Sequence, residues 1–160
     1  MGCGKTTVGK KLAKLLDCDF TDMDRYIEQT EGMTISEIFK LHGEEYFRDL
    51  ETAAIKSFQG KSGVIATGGG ALLRQENGEA AKLIGIPIFL NVRFTSCYMR
   101  IKDDPNRPIA HNSTREELYR LYRKRKPKYI KNSSYIIDGN KSSAAIARQI
   151  KEMTDQGIIR

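Results

Sequence analysis

Six residues at the start of the chain, Gly2-Cys3-Gly4-Lys5-Thr6-Thr7, restrict its architecture more than any other stretch. They reproduce the second half of the pattern G-x-x-x-x-G-K-[ST], a loop that leaves a strand, wraps phosphate oxygens and enters a helix. Glycines allow backbone N–H groups to turn toward an anion, and the helix behind them presents its positive end. A lysine at position 5 would bridge β- and γ-phosphates, and the hydroxyl of Thr6 would ligate Mg²⁺. Gly2, Cys3, Gly4, Lys5, Thr6 and Thr7 are therefore the candidate nucleotide-binding residues. A flexible glycine-rich tail is the plainer alternative. The loop is favoured because Val8, Leu12, Leu15 and Leu16 fall at i, i+4, i+7 and i+8, which predicts an amphipathic helix over 5–16, where the motif requires one. The first glycine of the pattern, and the strand feeding it, would precede Met1. The expectation is a chain that opens inside its own loop, with the apolar neighbours of a central strand left uncovered. That would weigh heavily against a total stability of about 5–15 kcal/mol.

Downstream, strands and helices alternate. Strands are predicted at 18–21, 64–67, 88–92 and 135–137, where short apolar or β-branched runs meet glycines or acidic residues. Thr34 with Glu37 forms a capping box for a short helix carrying Ile35, Ile38 and Phe39. Longer helices are predicted from Tyr46 to Phe58, 96–102, 114–126 and 142–153. Strands separated by helices imply a parallel sheet covered on both faces, an α/β class, and 160 residues are one domain's worth. The 27 Lys and Arg residues exceed the 20 Asp and Glu by seven, which favours anionic ligands. Three cysteines at unrelated spacings suggest neither a disulfide framework nor a zinc ribbon, and a reducing, cytoplasmic setting follows. The most apolar stretch, 84–92, is far below the roughly 20 residues of a membrane span.

Acidic and glycine positions then narrow the chemistry. Asp22 and Asp24 end the strand at 18–21, and Gly68, Gly69 and Gly70 end the strand at 64–67. With the run Gly-Glu-x-x-Phe-Arg at 43–48 and the spacing Arg48-x2-Glu51-x3-Ile55, followed after eight residues by Val64-Ile65-Ala66-x-Gly68-Gly69-Gly70-x-Leu72, the chain resembles shikimate kinase over essentially its whole length. The resemblance implies a P-loop NTPase fold, three layers α/β/α around a five-stranded parallel sheet, and ATP-dependent phosphorylation of the 3-hydroxyl of shikimate by a cytoplasmic monomer. It further implies Asp24 as the general base that holds the acceptor, Asp22 beside Mg²⁺ with Thr6, and Arg48 and Arg125 as the clamp on the substrate carboxylate. Gly68, Gly69 and Gly70 would contact the substrate ring. Arg107, in a mobile lid at about 103–113, would stabilise the transferring phosphate, and Arg100 would pack on adenine. Lys5 would act on the phosphates during transfer. Near Asn140 and Lys141 the chain departs from the family's usual adenine loop.

Each residue has a plainer role as well. Asp24 could cap a helix, the arginines could be surface charges, and Glu51 could orient Arg48 one helical step away. Glu44 reads as a surface or capping residue, and His42 and His111 as surface residues. The basic run 123–128 with Tyr119, Tyr122 and Tyr129 resembles a nucleic-acid patch, but tyrosines at helical spacing fit packing better. A gluconate-type kinase of the same fold, or a non-catalytic binding module, are the competing functions.

Overall fold

The computed structural model describes residues 2–102 and 113–159. Helix α1 (Lys5–Leu16) has the predicted span, starts at Gly4 and ends at Asp17, which adopts a left-handed conformation. It leads to strand β1 (Phe20–Asp22), which runs directly into helix α2 (Met23–Glu31). Helix α3 (Ile35–Ser57) opens with the predicted capping box, in which the Thr34 N–H donates to Glu37 Oε2 at 2.7 Å. The two helices expected from Ile35 to Phe58 are both present, and Gly43, whose φ of 82° and ψ of 177° lie outside the helical region, kinks α3 between them. Strand β2 (Val64–Ala66), a 3₁₀ turn (Ala71–Leu73), helix α4 (Gln75–Ile84), strand β3 (Ile88–Asn91) and helix α5 (Phe94–Ile101) follow. Helix α6 (Arg115–Lys131), strand β4 (Tyr135–Asp138) and helix α7 (Ser143–Asp155) complete the order.

Two of these helices were not anticipated. Helix α2 buries only Met23 and Ile27 in an otherwise polar run, and α4 buries Asn77 and Gly78 rather than a large apolar stripe. Met23, Tyr26 and Ile27 of α2 do fall at helical spacing, but this stripe spans little more than one turn, and α4 adds only partly buried Ala80 and Ile84. Helix α6 was expected to stop at Lys126 but continues through Pro127, which removes one backbone donor. Beyond the proline, Tyr129 and Asn132 are anchored on the segment 68–73, which holds the extension in place.

Among the described residues the strands form two parallel pairs, β1 with β2 and β3 with β4, instead of one continuous ladder. Residues Thr67, Leu72, Ile88 and Leu90 line the cavity between the pairs, together with Cys3 and Lys5. Val64, Ile65, Ile88 and Phe89 are only partly buried, although they belong to the strands flanking this gap. Each pair has its own core. Val8 and Leu12 of α1 pack with Leu90, Ile137, Ile146 and Ile150, while Met23, Ile27, Ile38, Phe47 and Ile55 pack beneath β1 and β2.

Ile146 is 2 % exposed at the centre of the first core, where α7 meets α1 and β4. Ile146→Ala should lower the unfolding free energy by about 2–5 kcal/mol, read from the urea midpoint. A loss within about 0.5 kcal/mol, the range of surface substitutions, would contradict this packing.

Candidate active site

The loop and the two aspartates meet at the carboxyl end of β1. Gly4 adopts φ 88° and turns the chain into α1, a conformation that a side chain would strain. The Thr6 hydroxyl donates to Asp22 Oδ2 at 2.8 Å, while Asp22 Oδ1 accepts from the Asp24 N–H at 3.2 Å and so caps α2. Asp22, not Asp24, is therefore the helix cap, and one carboxylate ties the start of α1 to the start of α2. Thr7 lies on the exposed first turn of α1. Lys5 Nζ lies 3.8 Å from Cys3 Sγ. Burial alone would raise the Cys3 thiol, but the Lys5 charge and nearby backbone N–H groups leave it below its ordinary value. Arg100 donates from Nη1 to the Gly2 carbonyl at 3.0 Å, so α5 braces the entrance of the loop.

The glycines lie over the second half of the site. A Cβ at Gly68 would sit 2.5 Å from Asp24 Oδ1 and 2.7 Å from Glu51 Oε1, and one at Gly70 would sit 2.0 Å from Arg48 Nη1. A side chain at either position would have to displace a charged group, which explains Gly68 and Gly70 better than a turn does. Arg48 donates from Nη1 to Glu51 at 2.6 Å, and from Nε and Nη2 to Glu44 Oε1 at 3.2 and 2.7 Å. Glu51 is 1 % exposed, and its Oε1 has no hydrogen-bond partner. Burial pushes its carboxyl above the ordinary range and the Asp24 charge adds to that, while Arg48 and Arg125 oppose it. The Arg125 charge acts on the same corner, on Glu51 and on the Tyr129 hydroxyl. That hydroxyl donates in turn to the Gly69 carbonyl at 2.5 Å.

Thr6 and Asp22 supply hard oxygen donors, a set that suits a divalent cation held largely by phosphate oxygens. Among the described residues no group of three or more His, Cys, Asp or Glu side chains is placed to hold a metal by itself. Exposed His42 stacks on Tyr46 away from these groups. Arg107 lies outside the described residues, as do His111 and the expected lid as far as 112.

A phosphate-type loop beside a partly buried Asp24 and a buried Glu51 fits the kinase chemistries set out above, and comparison with known proteins narrows them. A family model described as shikimate kinase matches residues 1–155. The chain belongs to the shikimate kinase family. A shikimate kinase of Cupriavidus pinatubonensis is 41 % identical over 147 residues, covering 91 % of this chain and 77 % of that protein. One from Moorella thermoacetica is 38 % identical over 153 residues, covering 95 % and 88 %. The shikimate kinase of Acinetobacter baumannii, solved in complex with shikimate, superposes with a TM-score of 0.92 at 35 % identity, covering 100 % of this chain and 91 % of that one. The Aquifex aeolicus shikimate kinase gives 0.86 at 31 % identity, covering 99 % and 94 %. The α/β P-loop kinase fold is thus established, and ATP-dependent kinases as a class require a divalent cation.

Within this shikimate kinase fold the structure brings Lys5, Thr6, Asp22 and the loop glycines to one side, and Asp24, Arg48, Glu51, Gly68 and Gly70 to the other. Helical spacing by itself assigns Tyr129 to packing. Its ring does stack on Phe89 at 5.6 Å, but its hydroxyl reaches the glycine segment. Nothing in the spacing of α6 distinguishes a tyrosine that packs from one that also donates.

Because the folded state holds the Glu51 proton more tightly than the unfolded chain, whose carboxyl titrates near 4.5, this group destabilises the fold as pH rises above that value. The urea midpoint of the wild type minus that of Glu51→Gln should therefore fall as pH is raised from 4.5 toward neutrality. A difference that stays flat would mean that Glu51 titrates like an exposed carboxylate.

Proposed function

We propose that this chain transfers the γ-phosphoryl group of Mg-ATP to the 3-hydroxyl of shikimate, as a cytoplasmic monomer acting on the route to chorismate. The observation that carries this reading is the Asp22-to-Asp24 turn: Asp22 bonds the loop threonine, and two residues later Asp24 lies under the Gly68 backbone. Donor and acceptor halves are thereby held on one short rigid segment, which serves in-line transfer by proximity. Three unpaired thiols suit a reducing compartment.

Lys5 and the loop amides take the phosphate charge, and Asp24 orients the acceptor hydroxyl and accepts its proton. Thr6 and Asp22 would hold Mg²⁺, which when bound neutralises charge on the phosphates. Arg48 and Arg125 receive the substrate carboxylate. The Nε and Nη2 edge of Arg48, now on exposed Glu44, is the planar fork that a ligand carboxylate would engage. Gly68, Gly69 and Gly70 let the substrate ring approach backbone, and Arg107 from the lid at about 103–113 supplies late positive charge. Arg100 braces the loop and flanks adenine.

Coupled ADP release should depend on shikimate and not on gluconate. Lys5→Met and Asp24→Asn should each lower kcat by about 10²–10⁴-fold with the fold retained, and near-normal turnover in either would remove the role given to it. Arg48→Ala should chiefly raise KM for shikimate. A change confined to KM for ATP would reverse the division of the site.

A further inference from the structure

The segment 68–73 has three of its carbonyls held by side chains from neighbouring helices. Tyr129 donates to the Gly69 carbonyl at 2.5 Å, Asn132 Nδ2 to the Leu72 carbonyl at 2.7 Å, and Asn77 Nδ2 to the Ala71 carbonyl at 2.8 Å. Asn77 and Asn132 are 1 % and 6 % exposed, so these bonds form where water competes poorly. Helix packing makes room for them: a Cβ at Gly78 would lie 2.3 Å from Asn132 Cγ, so α4 can approach α6 closely only with a glycine there. Tyr129 and Asn132 stand three residues apart, on one face of α6 and at its C-cap. Four residues before Tyr129, one helical turn away on the same face, is Arg125, whose charge acts on the tyrosine hydroxyl.

We propose that Tyr129 and Asn132 are positioning residues for the acceptor, fixing the glycine segment from the helix that carries Arg125 so that the carboxylate clamp and the backbone beneath the substrate ring move as one body. The proposal rests on the acceptor-site reading above. Its physical content is that the glycines, chosen for close approach, are conformationally loose by themselves. Their path over Asp24, Glu51 and Arg48 is fixed by bonds to their carbonyls rather than by side chains of their own. A phenol is a donor at neutral pH, and burial shifts that of Tyr129 further from ionisation.

The test compares wild type with Tyr129→Phe, which keeps the ring on Phe89, and Asn132→Asp, which keeps size but removes the donor. KM and kcat would be measured for both substrates, with amide hydrogen exchange across 68–73 and thermal midpoints read in parallel. Each variant should raise KM for shikimate about tenfold, leave KM for ATP within about twofold, and speed exchange at 68–73 about tenfold, as loss of one buried bond predicts. Unchanged exchange at 68–73, or both KM values rising together with a lowered midpoint, would overturn the positioning role in favour of general packing. If the wild type shows no shikimate-dependent turnover, the functional reading fails, and exchange at 68–73 still decides whether these side chains hold the segment.

Discussion

Passage of bare backbone across three charged side chains is the contact on which the rest of the acceptor corner depends. Gly68 lies so close to Asp24 and Glu51, and Gly70 to Arg48, that a single methyl at either position would displace a charged group. Closure of this kind excludes water, which strengthens every electrostatic interaction beneath it and raises the cost of any group left unpaired. Glu51 shows both effects. One of its oxygens is held by Arg48 at 2.6 Å, the other has no hydrogen-bond partner, and burial pushes the carboxyl upward. Such a pair is weak evidence of stabilisation, because desolvation offsets much of the attraction. Its value lies in orientation: the buried half of the Arg48 fork is fixed, and the other edge faces exposed Glu44.

Asp22 performs the corresponding task between the two halves of the site. A carboxylate at a strand end that both caps the next helix and accepts from Thr6 leaves little freedom between α1 and α2. The positive end of α1, the Lys5 ammonium and an overall excess of seven basic residues then make the region attractive to polyanions before any specific contact forms. Both substrates of a shikimate kinase are anions, so a basic α6 beside the site requires no nucleic-acid partner.

Much of this architecture was legible in the chain because its signals are local. The loop motif, the span of α1, the capping box at Thr34 and the β-branched runs each depend on residues within one or two turns of one another. Helices α2 and α4 were not read from the sequence, because the apolar stripe of α2 at Met23, Tyr26 and Ile27 is barely one turn long and α4 buries a polar and a small residue. The kink at Gly43 falls between the helix capped at Thr34 and the longer one from Tyr46, where the patterning also divides them. The division of the strands into two parallel pairs, with Val64, Ile65, Ile88 and Phe89 only partly buried beside the gap, agrees with the expectation that apolar neighbours of a central strand are left uncovered.

The sequence by itself determined the chemistry available: a glycine-lysine-threonine loop at a helix start, two aspartates at a strand end, three glycines at another, and arginines at the spacing of a known kinase family. These follow from residue type and short-range order, which physical rules connect directly to backbone conformation and charge. Only the tertiary structure decided which groups share a corner. It placed Glu51 against Asp24, assigned Asp22 and not Asp24 as the cap of α2, and carried Tyr129 and Asn132 across sixty residues of chain to the glycine segment. The reason is that a hydrogen bond or a close approach depends on distances between elements, and those distances are fixed by how the helices pack, information that no single stretch of the chain contains.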